Sequence, residues 1–172
     1  MPSSAAGERQ LQHLFAPWRF AYVSSAGAAP GCIFCAAAGG VADDSLVLAR
    51  SQRSFALLNR YPYTSGHAMV APLAHTADLA LLDGGTLNEM MALVQRVMGA
   101  IQAVYAPHGF NVGMNLGEAA GAGVVDHLHL HVVPRWRGDS NFMSVSGGVR
   151  VLPEDLATTL GRLRAALEGD HG

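Results

Sequence analysis

The chain contains no lysine: all 11 of its basic residues are arginine, set against 13 acids for a formal net charge of −2. A broad cationic footprint for nucleic acid is therefore missing, and any phosphate ligand must be small and locally held. Only two cysteines occur, Cys32 and Cys35, too few and too close together for a disulfide framework. No run of 18 apolar residues is present, and the first residues carry charge where the apolar region of a secretory leader would lie. The expectation is a cytoplasmic protein with no membrane partner. Charged residues make up only 14% of the chain and hydrophobic ones 50%, the reverse of the balance in disordered chains. A length of 172 residues fits one globular domain with a core of its own. Against these scarcities stand eight histidines.

Residues 1 to about 12 are small and polar without a period, and 1–30 as a whole read as a partly disordered extension ahead of a single domain over 31–172, with Trp18, Phe20 and Tyr22 alternating like a short strand. SLVLAR and SFALLNR, parted by Ser51, Gln52 and Arg53, predict a hairpin, and HAMVAP after Gly66 predicts the next strand. From Thr86 the positions Leu87, Met90, Met91, Val94, Val97, Met98, Ile101 and Val104 recur at helical spacing, with Thr86 and Glu89 placed as a capping box. Pro107 and Gly109 stop that helix. FNVGMNLG and VVDHLHLHVVPR then predict two strands joined by the GEAAGAG turn, and a last helix covers about 154–167. The expected fold is α+β: an antiparallel sheet of about five strands with two main helices.

His127, His129 and His131 alternate with Leu128, Leu130 and Val132, so on a strand all three imidazoles share one face, at about 6.6 Å per pair. Three imidazoles in a row are costly unless that face lines a polar site. Incidental surface histidines and a three-histidine metal site are weaker readings, because one strand rarely delivers three ligands to one tetrahedral ion. The favoured reading is an imidazole nucleophile flanked by two further imidazoles and acting on a phosphate. Such a nucleophile must carry its proton on the nitrogen facing away from phosphorus, so His129 is expected to donate to a backbone carbonyl.

The segment HLHLHVV resembles the His-φ-His-φ-His-φ-φ signature of the histidine triad (HIT) superfamily of nucleotide hydrolases and transferases. LLNRYPYTSGHAMVAPLAH and GFNVGMNLGEAAGAGVVDHLHLHVVPRW are similar to its fragile-histidine-triad branch and the bacterial diadenosine tetraphosphate phosphorylase relatives, over about residues 46–143. The resemblance implies a HIT-like fold, a homodimer paired through the long helix and adjoining strand, and attack on the α-phosphate of a dinucleoside polyphosphate through a nucleotidyl-histidine. It implies His129 as the nucleophile, with His127 and His131 orienting phosphoryl oxygens. His67 matches the remote family histidine, Asn59 the ribose contact and Asn115 the amide beside the phosphates. The turn carrying Gly121 and Gly123 supplies main chain to the phosphates, with Arg135 or Arg137 as further charge. No metal is required for that chemistry. One departure stands out: where relatives that hydrolyse dinucleotides often carry glutamine or serine before the triad, this chain has Ala122 and Gly123. That departure leaves a rival reading, a nucleotide-binding regulator with little turnover.

C-x₂-C alone is half a metal site, and it also fits two buried thiols around Ile33 and Phe34 or a redox pair. In HIT relatives with this pair, a quartet completed by residues matching His75 and His127 holds a structural zinc, and here the spacing is C-x₂-C-x₃₉-H-x₅₁-H. Such an ion would tie the N-terminal segment to the sheet. Asn111 reads as loop structure or a nucleotide contact, Trp136 as rim packing rather than a base stack, and the RGD at 137–139 as a turn.

Overall fold

The computed structural model describes residues 31–40, 46–139 and 154–169; the expected extension and the strand at 18–22 lie outside the described residues. Five strands form one antiparallel sheet: β1 (Val47–Arg50), β2 (Ser54–Leu58), β3 (Ala68–Pro72), β4 (Gly109–Met114) and β5 (Leu130–Arg135), in the order β1-β2-β3-β5-β4. Among the described residues three α-helices accompany them: α1 (Ile33–Gly39), α2 (Gly84–Tyr105) and α3 (Leu156–Gly169). The architecture is thus the expected α+β one, with a short third helix added. Among the described residues no helix is long and apolar enough to cross a membrane.

Alternation along the strands separates two layers. On one face Ala56, Leu58, Ala68, Val70, Leu130 and Val132 pack against Met90, Leu93, Val94, Val97 and Ile101 of α2 and Leu163 and Leu167 of α3, forming the main core. On the other face Phe55, Leu57, Met69 and Ala71 form a smaller cluster with Phe34 of α1. Helix α3 is tied to the sheet by Arg164, whose Nη2 donates to the Val47 carbonyl at 2.6 Å.

Two local expectations are corrected. Helix α2 starts at Gly84, because Asp83 caps it: its Oδ1 accepts from the Thr86 N–H at 3.0 Å and its Oδ2 from the Thr86 hydroxyl at 2.7 Å. These bonds hold the Asp83 carboxyl below its ordinary range. Glu89 is not the reciprocal partner of a capping box, since its Oε1 accepts from the Arg53 N–H at 2.6 Å and the Ser54 hydroxyl at 3.1 Å, fastening the β1–β2 turn to the helix. Met91, placed on the apolar face by its spacing, is 49% exposed. The second correction concerns the triad strand, which begins only at Leu130; His127 and His129 lie in the irregular segment that leads into it. The lead-in is held instead by the Leu128 N–H, which donates to the Thr76 carbonyl at 2.7 Å.

Candidate active site and metal centre

The rings of the motif still gather on one side of the sheet, opposite the main core. Leu128 and Leu130 point into that core, and His129 and His131 lie 4.9 Å apart between ring centroids. Strand β5 is hydrogen-bonded on both edges, with His131 opposite Met69 of β3 and Gly113 of β4.

Each histidine has its tautomer set by its partners. His129 Nδ1 lies 2.9 Å from the His127 carbonyl and must donate to it, which leaves Nε2 as the nitrogen with a free lone pair. Burial is the main influence on this ring and pushes its pKa below the ordinary value, so it is neutral near pH 7. A second chain of bonds runs from the Tyr63 N–H, which donates to His67 Nδ1 at 3.1 Å. His67 therefore carries its proton on Nε2 and donates to His131 Nδ1 at 3.0 Å, so that His131 is protonated on Nε2. His67 is 1% exposed and packs against the Tyr63 ring, tilted 40° to it with centroids 4.5 Å apart. It follows a left-handed position that favours glycine: Gly66 has φ +79°.

His129 and His131 open onto a cleft on this side of the sheet. Asn59, Asn115, Gly121 and Gly123 line it as expected, together with Ile33, Phe34, Tyr61, Tyr63, Met69 and Val124. Asn59 is held by its Oδ1, which accepts from the Tyr61 N–H at 2.9 Å, and Asn115 Nδ2 donates to the Gly121 carbonyl at 3.4 Å. Gly121 takes φ +84°, which lets the turn fold back towards the histidines. The arrangement has an apolar, aromatic wall, two amides, and an imidazole whose Nε2 lone pair is left free by the bond at Nδ1.

Other expected contributors lie elsewhere. Arg135 is committed to Asp139, donating from Nε at 2.5 Å and Nη2 at 2.9 Å, and its Nη1 donates to Asn111 Oδ1 at 2.8 Å. Neither Arg135 nor Arg137 lines the cleft, and Asn111 is structural. The Trp136 indole N–H donates to the Tyr105 carbonyl at 3.4 Å and packs at the rim.

Beside the triad, Cys32, Cys35, His75 and His127 bring their donor atoms within 4.8 Å of one another. Cys32 caps α1 and Cys35 lies in its first turn, so the helix start presents both thiols on one side. His127 Nε2 lies 2.9 Å from the Pro72 carbonyl and must donate to it, which aims the Nδ1 lone pair at the thiols. Its Nδ1 is 3.3 Å from Cys32 Sγ, 3.6 Å from Cys35 Sγ and 3.3 Å from His75 Nδ1. Tetrahedral zinc, with bonds of about 2.3 Å to sulfur and about 2.05 Å to nitrogen, requires edges of about 3.6 Å (S–N) and about 3.4 Å (N–N). The quartet fits such an ion. His127 thus directs Nδ1 into this quartet and is not among the residues that line the cleft, where a role on phosphoryl oxygens would place it.

Sequence reasoning missed Phe34, Tyr61 and Tyr63 as walls of the cleft. The only local signal was the pair of tyrosines flanking Pro62.

The family model described as HIT domain matches residues 41–138. The AP-4-A phosphorylase of Mycobacterium tuberculosis is 41% identical over 162 residues, covering 89% of this chain and 83% of that protein. The adenosine 5'-monophosphoramidase of Schizosaccharomyces pombe is 36% identical over 105 residues, 60% of this chain and 74% of that one. A solved structure of a Zn-bound histidine triad family protein from Mycobacterium smegmatis superposes with a TM-score of 0.67 at 35% identity, covering 81% of this chain and 94% of the other.

Proposed function

This chain belongs to the HIT domain family, and we propose that it is a cytoplasmic, homodimeric enzyme that transfers the adenylate of a dinucleoside polyphosphate such as diadenosine tetraphosphate through His129. The observation that carries the reading is the bond from His129 Nδ1 to the His127 carbonyl, which leaves a neutral Nε2 at a cleft also lined by Asn59 and Asn115.

In the first step the Nε2 lone pair of His129 forms a bond to the α-phosphorus, and the bond from that phosphorus to the bridging oxygen breaks, releasing ATP. In the second step an oxygen of inorganic phosphate or water attacks the same phosphorus and the N–P bond breaks, giving ADP or AMP and restoring the neutral imidazole. His131, protonated on Nε2 through the His67 bond, donates to a phosphoryl or leaving oxygen. Asn59 positions the ribose, Asn115 and the main chain of Gly121 and Gly123 the phosphates. Zinc at Cys32, Cys35, His75 and His127 would hold α1 to the sheet and takes no part in either step. The homodimer is supported by β4, an edge strand whose Val112 is 42% exposed, with Leu116 and Met91 also exposed.

The test is incubation with diadenosine tetraphosphate with and without inorganic phosphate. The similarity to AP-4-A phosphorylase supports phosphorolysis, so ADP plus ATP appearing only with phosphate is the expected outcome. ATP plus AMP without phosphate would mean hydrolysis, and nucleotide binding with neither product would transfer the reading to a regulator.

A further inference from the structure

Phe34 lies between Cys32 and Cys35 on the first turn of α1 and is fully buried. Its ring centroid is 5.1 Å from that of His127, a metal donor, and 4.7 Å from that of His129. One aromatic ring thus touches both centres. Its neighbour Ile33, 46% exposed, lines the same cleft. A second connection runs through the backbone, because the His127 carbonyl accepts the Nδ1 proton of His129.

The start of α1 is seated on the sheet by Phe34, whose ring meets Phe55 edge-on at 6.5 Å between centroids. Its far end is held by Arg50, which donates to the Ala37 and Ala38 carbonyls at 2.5 and 2.6 Å. Phe34 belongs to the smaller apolar cluster and takes no part in the main core. The start of α1 therefore rests on the sheet through the smaller apolar cluster, and the donor quartet and whatever fills the cleft bear on it from either side of Phe34. Two ligands that order the same segment assist one another, and the assistance is equal in both directions.

We propose that Phe34 is a positioning residue that couples the metal centre to the nucleotide cleft, so that occupancy of either site tightens the other. The proposal rests on the reading of the cleft as the adenylate site.

The experiment uses the full chain loaded with Co²⁺, whose visible bands report a tetrahedral S₂N₂ centre, and AMP as the cleft ligand. AMP is expected to shift the Co²⁺ bands and slow transfer of the ion to a chelator. Apparent Co²⁺ affinity should rise about tenfold, within the usual range for coupled sites, and Co²⁺ should raise AMP affinity by the same factor in calorimetry. Phe34→Leu should keep both ligands yet lose the band shift and bring the factor close to one; Phe34→Met takes its place if the leucine variant does not fold. The release measurement needs only loaded protein, so it decides even where the stripped chain unfolds. A release rate indifferent to AMP, or coupling undiminished in the Phe34 variant, would overturn the proposal while leaving the cleft assignment intact. Failure of AMP to bind the loaded protein would overturn both.

Discussion

Replacing His129 by alanine separates what the imidazole does for the fold from what it does for the reaction. The ring is 4% exposed, makes one hydrogen bond to the His127 carbonyl and rests on Phe34. Leaving that carbonyl without its donor costs about 1–3 kcal/mol. The lost ring contact adds about 0.5–1.5 kcal/mol. A domain with a typical stability of about 5–15 kcal/mol remains folded after such a loss. Catalysis falls much further, because no other group in the cleft has a neutral nitrogen presented in the same way: a loss of at least about 10⁴-fold, equivalent to about 5.4 kcal/mol, is expected. AMP affinity should change less than about threefold, since Asn59, Asn115 and the apolar wall are untouched. The assay is a rapid quench into alkali, where a phosphoramidate survives, using adenine-labelled diadenosine tetraphosphate and peptide mapping. Label is expected on the peptide containing His129 and absent from the variant. Normal turnover in His129→Ala, or label on another residue, would refute the reasoning.

His67→Ala removes the donor that sets the His131 tautomer, and a fall in kcat of about 5- to 30-fold, the equivalent of about 1–2 kcal/mol, is expected with little change in KM. Elemental analysis of protein purified without chelator should find about one zinc per chain, and Cys32→Ser with Cys35→Ser should abolish it and lower Tm by at least about 5 °C. The Tyr105 hydroxyl donates to Glu154, and burial first, then that bond, pushes its pKa up to about 12. The unfolded chain releases this proton near pH 10, so the contribution to stability is intact below pH 10 and lost between about 10 and 12. Denaturation midpoints should fall across that window in the wild type and more shallowly in Tyr105→Phe. Light scattering at micromolar concentration should report a dimer, and Val112→Glu on the exposed edge strand a monomer.

The strands and both long helices were legible because their apolar spacing is a local property, and α2 followed its 3.6-residue period. Its start was misread because Asp83 lay three residues upstream of an equally plausible Thr86, and Glu89 had a tertiary use in the hairpin turn that no local pattern reveals. The early end of β5 pairing has a similar cause. His127 and His129 are committed to the Pro72 carbonyl and to the His127 carbonyl, bonds that replace a regular ladder. Helix α1 has only seven residues and no polar side-chain cap, too short for a period to show. Residue type and spacing showed only half of the metal quartet, the C-x₂-C pair, and His75 and His127 were added by the family resemblance, whereas the touch of Phe34 on His129 spans 95 positions of sequence and leaves no local mark.

Strand β5 divides the motif into two parts with different histories open to them. From Leu130 onward the chain is clamped by neighbours on both edges, so an inserted or deleted residue would turn every following side chain to the wrong face. Upstream, residues 124–129 answer to no ladder and are placed by a few side chains and the bond from Leu128 to Thr76. Descendants of such a protein can exchange the cysteine pair, reshape the glycine turn or lengthen the approach without disturbing His131. Diversification of leaving group and acceptor is thereby channelled into the lead-in, while the sheet passes on unchanged the one register that the chemistry requires.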